Sequence, residues 1–172
     1  MKRFVLGMAL ATAATLPLAA TAAETPRQAE VAKRGADVMP FDLKATTHVF
    51  TKTDRGGTQR VVAKEPSDVT QIRLIRAHLR DIEGEFRNGD FSGPSRIHGE
   101  DMPGLAELRA AKRGAVSIAL RNVTGGAELT YRSDDAKLVA ALHRWFDAQL
   151  SDHGADAMAG HRHHHREMQQ QD

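Results

Sequence analysis

Apolar residues recur with two different periods along the chain, which predicts strand pairs followed by helices. Alternating β-branched and aromatic residues predict strands over residues 46–51 and 59–63, joined by a turn that ends in Gly56-Gly57. Ser67 or Asp68 is the predicted cap of a following helix. Its apolar residues fall three and four positions apart, as in an amphipathic helix: Val69, Ile72, Ile75, Leu79, Ile82 and Phe86.

The second half of the chain repeats this order. Strands are predicted over residues 115–121 and 127–132, on either side of a second glycine pair, Gly125-Gly126. Ser133-Asp134-Asp135 then caps a predicted helix. The apolar positions of that helix are Leu138, Val139, Leu142, Trp145, Phe146 and Leu150.

The two halves together predict an α+β fold. Two hairpin-helix (ββα) units would form a four-stranded antiparallel sheet with the helices packed on one face. Each predicted helix contains a histidine, His78 or His143, which indicates internal duplication. Between the units, the Gly- and Pro-rich residues 91–104 predict a loop and residues 105–111 a short helix. The single domain is expected to span residues 35–156.

The two ends of the chain differ from this domain in their residue pattern. Residues 1–23 have Lys2 and Arg3 before an apolar stretch and small residues, which is typical of a cleaved signal peptide. Periplasmic or secreted location is therefore predicted, without a stable membrane anchor after cleavage. Residues 24–34 are predicted to be a linker or frayed helix, and residues 157–172 a mobile His-rich tail. That tail resembles a fragment of a purification tag but equally fits a native metal-attracting segment.

Charge and cysteine content exclude several classes of protein. Removing the predicted signal from the 172 residues leaves 22 of the 24 basic side chains against 22 acidic ones. A chain so close to neutral lacks the basic surface that nucleic-acid binding requires. The absence of cysteine excludes disulfides, thiolate catalysis and thiolate metal sites.

Histidine provides the remaining chemical signal. Neutral imidazole is the commonest protein ligand for transition metals, and exported proteins encounter copper and zinc. The sequence therefore predicts a copper or zinc ion held by side chains from several segments, with no protein partner indicated. The predicted ligands are His48, His98, Met102, His143 and His153.

One predicted ligand group lies in the loop between the two units. His98 and Met102 flank Glu100 and Asp101, and neighbouring glycines allow the backbone to turn these side chains inward. A thioether ligand such as Met102 would favour Cu(I). The alternative is a surface loop whose two acids stabilise the N-terminus of the next helix.

The other predicted ligands lie on elements of regular structure. His143 shares a helix face with Asp147, and His153 lies near the end of the same helix, where it could instead interact with the terminal carbonyls. Asp152 could orient a ligand imidazole. His48 shares a strand face with Phe50, so it is either a ligand or a packed core histidine.

Alternatives to metal binding stay open at this stage. The sequence has no phosphate-binding glycine loop with lysine, no H-E-x-x-H, no G-x-S-x-G and no C-x-x-C-H. A metal-free envelope interaction module, or a small-molecule-binding module with structural histidines, is the alternative function. An enzyme using histidine with a carboxylate as acid and base is less favoured.

Four phrases resemble a group of uncharacterised small exported bacterial proteins. They are GADVMPFD from Gly35, TTHVF from Thr46, IHGEDMPGL from Ile97 and WFDAQLSDHG from Trp145. Members of that group sometimes carry the label aspartate carbamoyltransferase. The Ser-Thr-Arg-Thr-Arg and His-Pro-Thr-Gln-type motifs of the transcarbamylase family are absent here, so the sequence does not support that activity.

Overall fold

The computed structural model describes residues 23–161. The predicted signal peptide up to residue 22 and the tail from residue 162 lie outside the described residues. The helices are α1 (Pro26–Val38), α2 (Val69–Arg87), α3 (Ser92–His98), α4 (Leu105–Ala110) and α5 (Ala136–His153). The strands are β1 (Thr46–Thr53), β2 (Gly56–Ala63), β3 (Ser117–Val123), β4 (Gly126–Arg132) and β5 (Ala157–Ala159).

The five strands form one mixed sheet in the order β3-β4-β2-β1-β5. The α+β class is thus confirmed, and β1 to β4 pair antiparallel as predicted. The four-stranded description was wrong because β5 adds a fifth strand, parallel to β1, with Ala157 opposite His48. Asp156, bound by the Nζ atoms of Lys44 at 2.9 Å and Lys64 at 3.2 Å, fixes the turn that leads into β5. The predicted tail therefore begins with a strand.

The two hairpins are related by an approximate twofold axis between β2 and β4. Gly56 lies opposite Arg132, and Gly126 lies opposite Val62. A Cβ atom at Gly56 would lie 2.2 Å from the carbonyl oxygen of Tyr131, and one at Gly126 would lie 2.0 Å from that of Val61. The two glycines are 70 residues apart in sequence and occupy corresponding positions, so one glycine of each predicted pair is required by the contact between the hairpins.

The two long helices, α2 and α5, are related by the same approximate twofold axis. Their corresponding residues are 67 positions apart in sequence. Asp68 caps α2 and Asp135 caps α5, each accepting a hydrogen bond from a backbone N–H in the first turn. Ile75 and Leu142, at corresponding positions, are fully buried. Both helices pack on the sheet face that carries the buried side chains of β2 and β4.

The twofold relation also identifies which residues of α2 and α5 occupy corresponding positions. Arg76 of α2 donates to the carbonyl oxygens of Val123 and Gly126 in the second hairpin. His143 of α5 contacts the carbonyl oxygens of Thr53 and Gly56 in the first hairpin through Nε2, at 3.0 and 2.9 Å. His143 therefore corresponds to Arg76, and the pairing of His78 with His143 that the sequence suggested is incorrect.

Two further segments are helical: the segment predicted to be a linker or frayed helix, and part of the predicted loop. Residues 26–38 form α1, which begins with Thr25 as cap and Gln28 as its reciprocal partner and which buries Val31 completely. Residues 92–98, inside the predicted loop, form α3. Helix α1 packs against both α3 and α5, so the segment read as a linker is part of the folded domain.

The free edge of the sheet at β3 is covered by side chains of α2. Glu83 accepts a hydrogen bond from the Leu120 N–H at 2.9 Å, and Arg87 Nε donates to the Ile118 carbonyl oxygen at 3.0 Å. In the part of the chain that the structure describes, no helix is long and apolar enough to cross a membrane.

Candidate functional site

A cavity of about 250 Å³ lies between the sheet and the helices α2, α3 and α5. Four of the nine histidines line it, and each comes from a different element: His48 from β1, His78 from α2, His98 from α3 and His153 from α5. Apolar side chains form much of the remaining wall. The fold therefore brings together imidazoles that are up to 105 residues apart in sequence.

Three of these imidazoles form a continuous series. The ring centroids of His48 and His153 are 5.0 Å apart, and those of His153 and His98 are 5.1 Å apart. Two imidazoles that share a tetrahedral zinc ion through nitrogen atoms about 2.0–2.1 Å from the metal have centroids about 5 Å apart. His153, in the middle, is thus at a metal-sharing separation from each neighbour.

His48 is the least satisfied polar side chain in this series. It is 3% exposed, and neither ring nitrogen has a hydrogen-bond partner among the described residues. Burial lowers the pKa of His48 well below its usual value, and the neighbouring histidines lower it further. The ring is therefore neutral at physiological pH, with one donor and one acceptor that only an added molecule or ion can satisfy.

His98 is held by a carboxylate and an arginine behind it. Its Nδ1 lies 2.8 Å from Oδ2 of Asp152, whose carboxylate also accepts from Arg27 Nε at 3.0 Å and Nη2 at 2.7 Å. Arg27 Nη2 additionally donates to the backbone oxygen of His98 at 2.6 Å. Asp152 thus favours the tautomer with a proton on Nδ1, which places the lone pair of the ring on Nε2. Burial lowers the pKa of His98, and the bond to Asp152 opposes that shift.

His153 shares a glutamine with His98. Its Nε2 lies 3.1 Å from Oε1 of Gln149, one helical turn earlier, and the same glutamine side chain also interacts with His98. Burial lowers the pKa of His153 to about 4, and His98 lowers it further against the opposing charges of Asp152 and Asp156. His153 is therefore an uncharged imidazole at neutral pH.

The internal twofold relation places apolar side chains at the positions that correspond to two of these imidazoles. His48 corresponds to Ile118 in the other half, and His153 corresponds to Phe86. Ile118 and Phe86 are both buried apolar side chains. One half of the molecule thus places hydrocarbon where the other half places histidine, which is typical of a site added to a fold for function.

The described side chains are not yet in a metal-holding arrangement. Within residues 23–161, no group of three or more histidine, aspartate or glutamate side chains is placed so as to hold a metal ion. Rotation of an imidazole about its Cβ–Cγ bond exchanges the positions of ring carbons and nitrogens and meets only a broad torsional minimum. Because both nitrogens of His48 are free of hydrogen bonds, rotating that ring breaks none.

Two of the predicted ligands lie elsewhere. Met102 is buried in the hydrophobic core but does not line the cavity. His143 holds the first hairpin turn and does not line the cavity either. Glu100 is exposed and pairs with Arg109 in the last turn of α4, and no side-chain hydrogen bond caps the start of that helix. The structure therefore brings together three of the five predicted ligands, His48, His98 and His153.

Several site residues were not predicted as such. His78 lies at the outer part of the cavity, in edge contact with Phe41 at 5.6 Å between ring centroids. Trp145 and Gln149 line it together with His153. These three residues are four positions apart on α5, a spacing that could have identified one helical stripe facing the site. Arg27 gave no such signal, because its contacts with His98 and Asp152 are 71 and 125 residues distant in sequence.

The chain matches no protein-family model, no curated protein and no solved structure. The resemblance to small exported bacterial proteins stays a prediction. Functional assignment therefore depends on the geometry and chemistry of the cavity.

Proposed function

We propose that this protein binds a transition-metal ion, zinc or copper, through His48, His98 and His153. The observation that carries the proposal is the buried series of imidazoles in which His48 has two unpartnered nitrogens. A buried polar side chain without a partner costs the fold free energy. A metal ion that accepts a lone pair from that ring would remove the cost.

The protonation states support the same conclusion. Metal ions bind deprotonated ligands, so a site of protonated histidines must first release its protons. Burial keeps His48, His98 and His153 uncharged at neutral pH. These rings can therefore accept a metal without loss of protons, unlike exposed histidines with a pKa near 6.5.

The surroundings of the site also fit a transition metal. Asp152 behind His98 is the carboxylate–histidine arrangement that orients metal ligands in many proteins. Met39 lines the cavity and supplies a thioether, which favours Cu(I) over zinc. The exported location predicted from residues 1–23 would place the site where copper and zinc are available.

Removal of His153 is expected to weaken metal binding at least about 100-fold, because this ring is the middle member of the series. Loss of a residue that only orients a ligand weakens metal binding by about 10–100-fold, and loss of a ligand itself should cost more. The experiment uses the full chain with the histidines His161, His163, His164 and His165 replaced by alanine, so that the tail does not bind metal. Zn(II) and Cu(I) affinities are measured by competition with a chromophoric chelator. His153→Ala is compared with His143→Ala.

The two variants separate the proposal from general histidine content. His143→Ala removes one imidazole outside the cavity and is expected to leave both affinities unchanged. Asp152→Asn is expected to weaken binding by about 10–100-fold through its effect on His98. Equal affinities for His153→Ala and the parent, or no binding tighter than micromolar in the parent, would show that the proposal is wrong.

A further inference from the structure

We infer that the cavity also binds a small uncharged aromatic molecule that carries a hydrogen-bond acceptor. This inference does not depend on a bound metal, because it rests on the volume and apolar lining of the cavity and on the side chain of Trp145. The cavity measures about 250 Å³. An apolar protein cavity of about 150 Å³ is sufficient for benzene, so a substituted six-membered ring fits here.

The walls define the apolar part of the ligand. Apolar side chains from three segments line the space, and two of them are phenyl rings: Phe41, Leu79, Ile82, Phe86 and Ile97. Phe41 already makes a tilted contact with the ring of His48 and an edge contact with that of His78, at 5.9 and 5.6 Å between centroids. A flat aromatic ligand would extend this aromatic packing, since aromatic rings favour tilted and edge-to-face contacts.

Trp145 defines the polar part. Its side chain is 1% exposed and lines the cavity, and its Nε1–H has no acceptor among the described residues. An indole N–H is a donor only, so its partner must present a lone pair. A carbonyl or similar oxygen on the ligand would satisfy the group, whereas a plain hydrocarbon would leave it unpaired.

Charged side chains lie only at the entrance. Asp81 and Glu85 of α2 and Arg96 of α3 line the cavity but are exposed. No lysine, arginine or carboxylate that lines the cavity is buried, so a charged ligand would lose its hydration without gaining an ion pair inside. The interior therefore favours an uncharged molecule.

The test uses Trp145 as the reporter, since it is the one tryptophan of the chain. Benzamide and ethylbenzene, which have similar size, are titrated into the full chain in the presence of EDTA. Benzamide is expected to change the fluorescence of Trp145 saturably and to bind about tenfold more tightly than ethylbenzene, the effect of one buried hydrogen bond. The single indole N–H resonance should shift with benzamide only.

A matched pair of glycine variants tests the location. A Cβ atom at Gly93, which is buried and lines the cavity, would meet no atom within 4 Å, and the same holds for exposed Gly84 of α2. Gly93→Leu should fill the cavity and weaken benzamide binding at least tenfold. Gly84→Leu makes the same change at an exposed position of α2 that does not line the cavity, and it should not affect binding.

Each outcome decides the inference. Absence of a saturable response to benzamide, or equal affinity of the two glycine variants, overturns it. If Gly93→Leu does not fold, the indole resonance of the parent still decides, because a site elsewhere on the surface would not move it. The titration contains EDTA, so failure here leaves the metal proposal untouched, and the metal competition assay can fail without affecting this result.

Discussion

Replacing His48 by leucine is expected to stabilise the folded protein while abolishing its binding of zinc and copper. Both imidazole nitrogens of His48 are buried without partners. Replacing such a group by an apolar side chain of similar volume removes a desolvation cost of about 1–3 kcal/mol. Urea unfolding of metal-free parent and His48→Leu proteins measures the change, and the chelator competition assay measures the loss of binding.

The control for this exchange is His143→Leu. His143 is hydrogen-bonded to two carbonyl groups of the first hairpin, so its loss should destabilise the protein by about 0.5–1.5 kcal/mol. Opposite signs for the two exchanges would separate a histidine kept for binding from one kept for structure. Destabilisation by His48→Leu would mean that this imidazole is a packing residue, and the metal proposal would lose its main support.

Acid is expected to destabilise the metal-free protein strongly between pH 6.5 and pH 4. Burial lowers the pKa of His153 to about 4 in the folded state, whereas an unfolded chain has a histidine pKa near 6.5. Below pH 6.5 the unfolded chain therefore binds a proton that the folded protein excludes. The stability is fully present above pH 6.5 and falls as the pH approaches 4, by about 3 kcal/mol for His153 alone.

The neighbouring histidines act in the same direction. His48 and His98 also have lowered pKa values, mainly through burial, so each adds to the loss. Asp152 has a lowered pKa as well and therefore contributes only below about pH 4. Urea unfolding at pH 7.5, 5.5 and 4 measures the change, and His153→Leu should show a weaker pH dependence. A free energy of unfolding that is constant over this range would contradict the buried, uncharged state of these rings.

Local sequence signals predicted most of the fold. The spacing of apolar residues identified α2 and α5, and the glycine pairs identified both hairpins. These elements are governed by interactions within a few residues, such as the cap by Asp68 and the turn at Gly56. The residues that make such interactions are close together in the sequence, so the pattern can be recognised from a single sequence.

The elements that were missed depend on distant contacts. Helix α1 is polar and has one fully buried apolar residue, Val31, and α1 is held against α5 by Arg27. Strand β5 has three residues, too few to show a period, and forms because Asp156 is bound by two lysines. Neither element carries a local pattern strong enough to predict it.

Only part of the candidate site could be predicted, because it too depends on contacts between residues that are distant in sequence. His48 and His153 were identified from residue type and from their place near apolar positions, and His98 from its glycine-flanked loop. The distinction between these rings and His143 required the twofold relation of the hairpins, which shows that His143 takes the place of Arg76. Met102 was selected for its nearness to His98 in sequence, but its side chain enters the hydrophobic core.

The hydrogen bonds from Glu83 and Arg87 to β3 have a consequence for the protein at high concentration. An uncovered edge strand offers free N–H and C=O groups on which a strand of a neighbouring molecule can form a continuous intermolecular sheet. The backbone N–H of Leu120 and the carbonyl oxygen of Ile118 are already hydrogen-bonded to side chains of α2. These groups at the centre of β3 therefore cannot pair with a strand of a neighbouring molecule. Loss of either side chain would favour self-association and fibril growth even where the monomer stays folded.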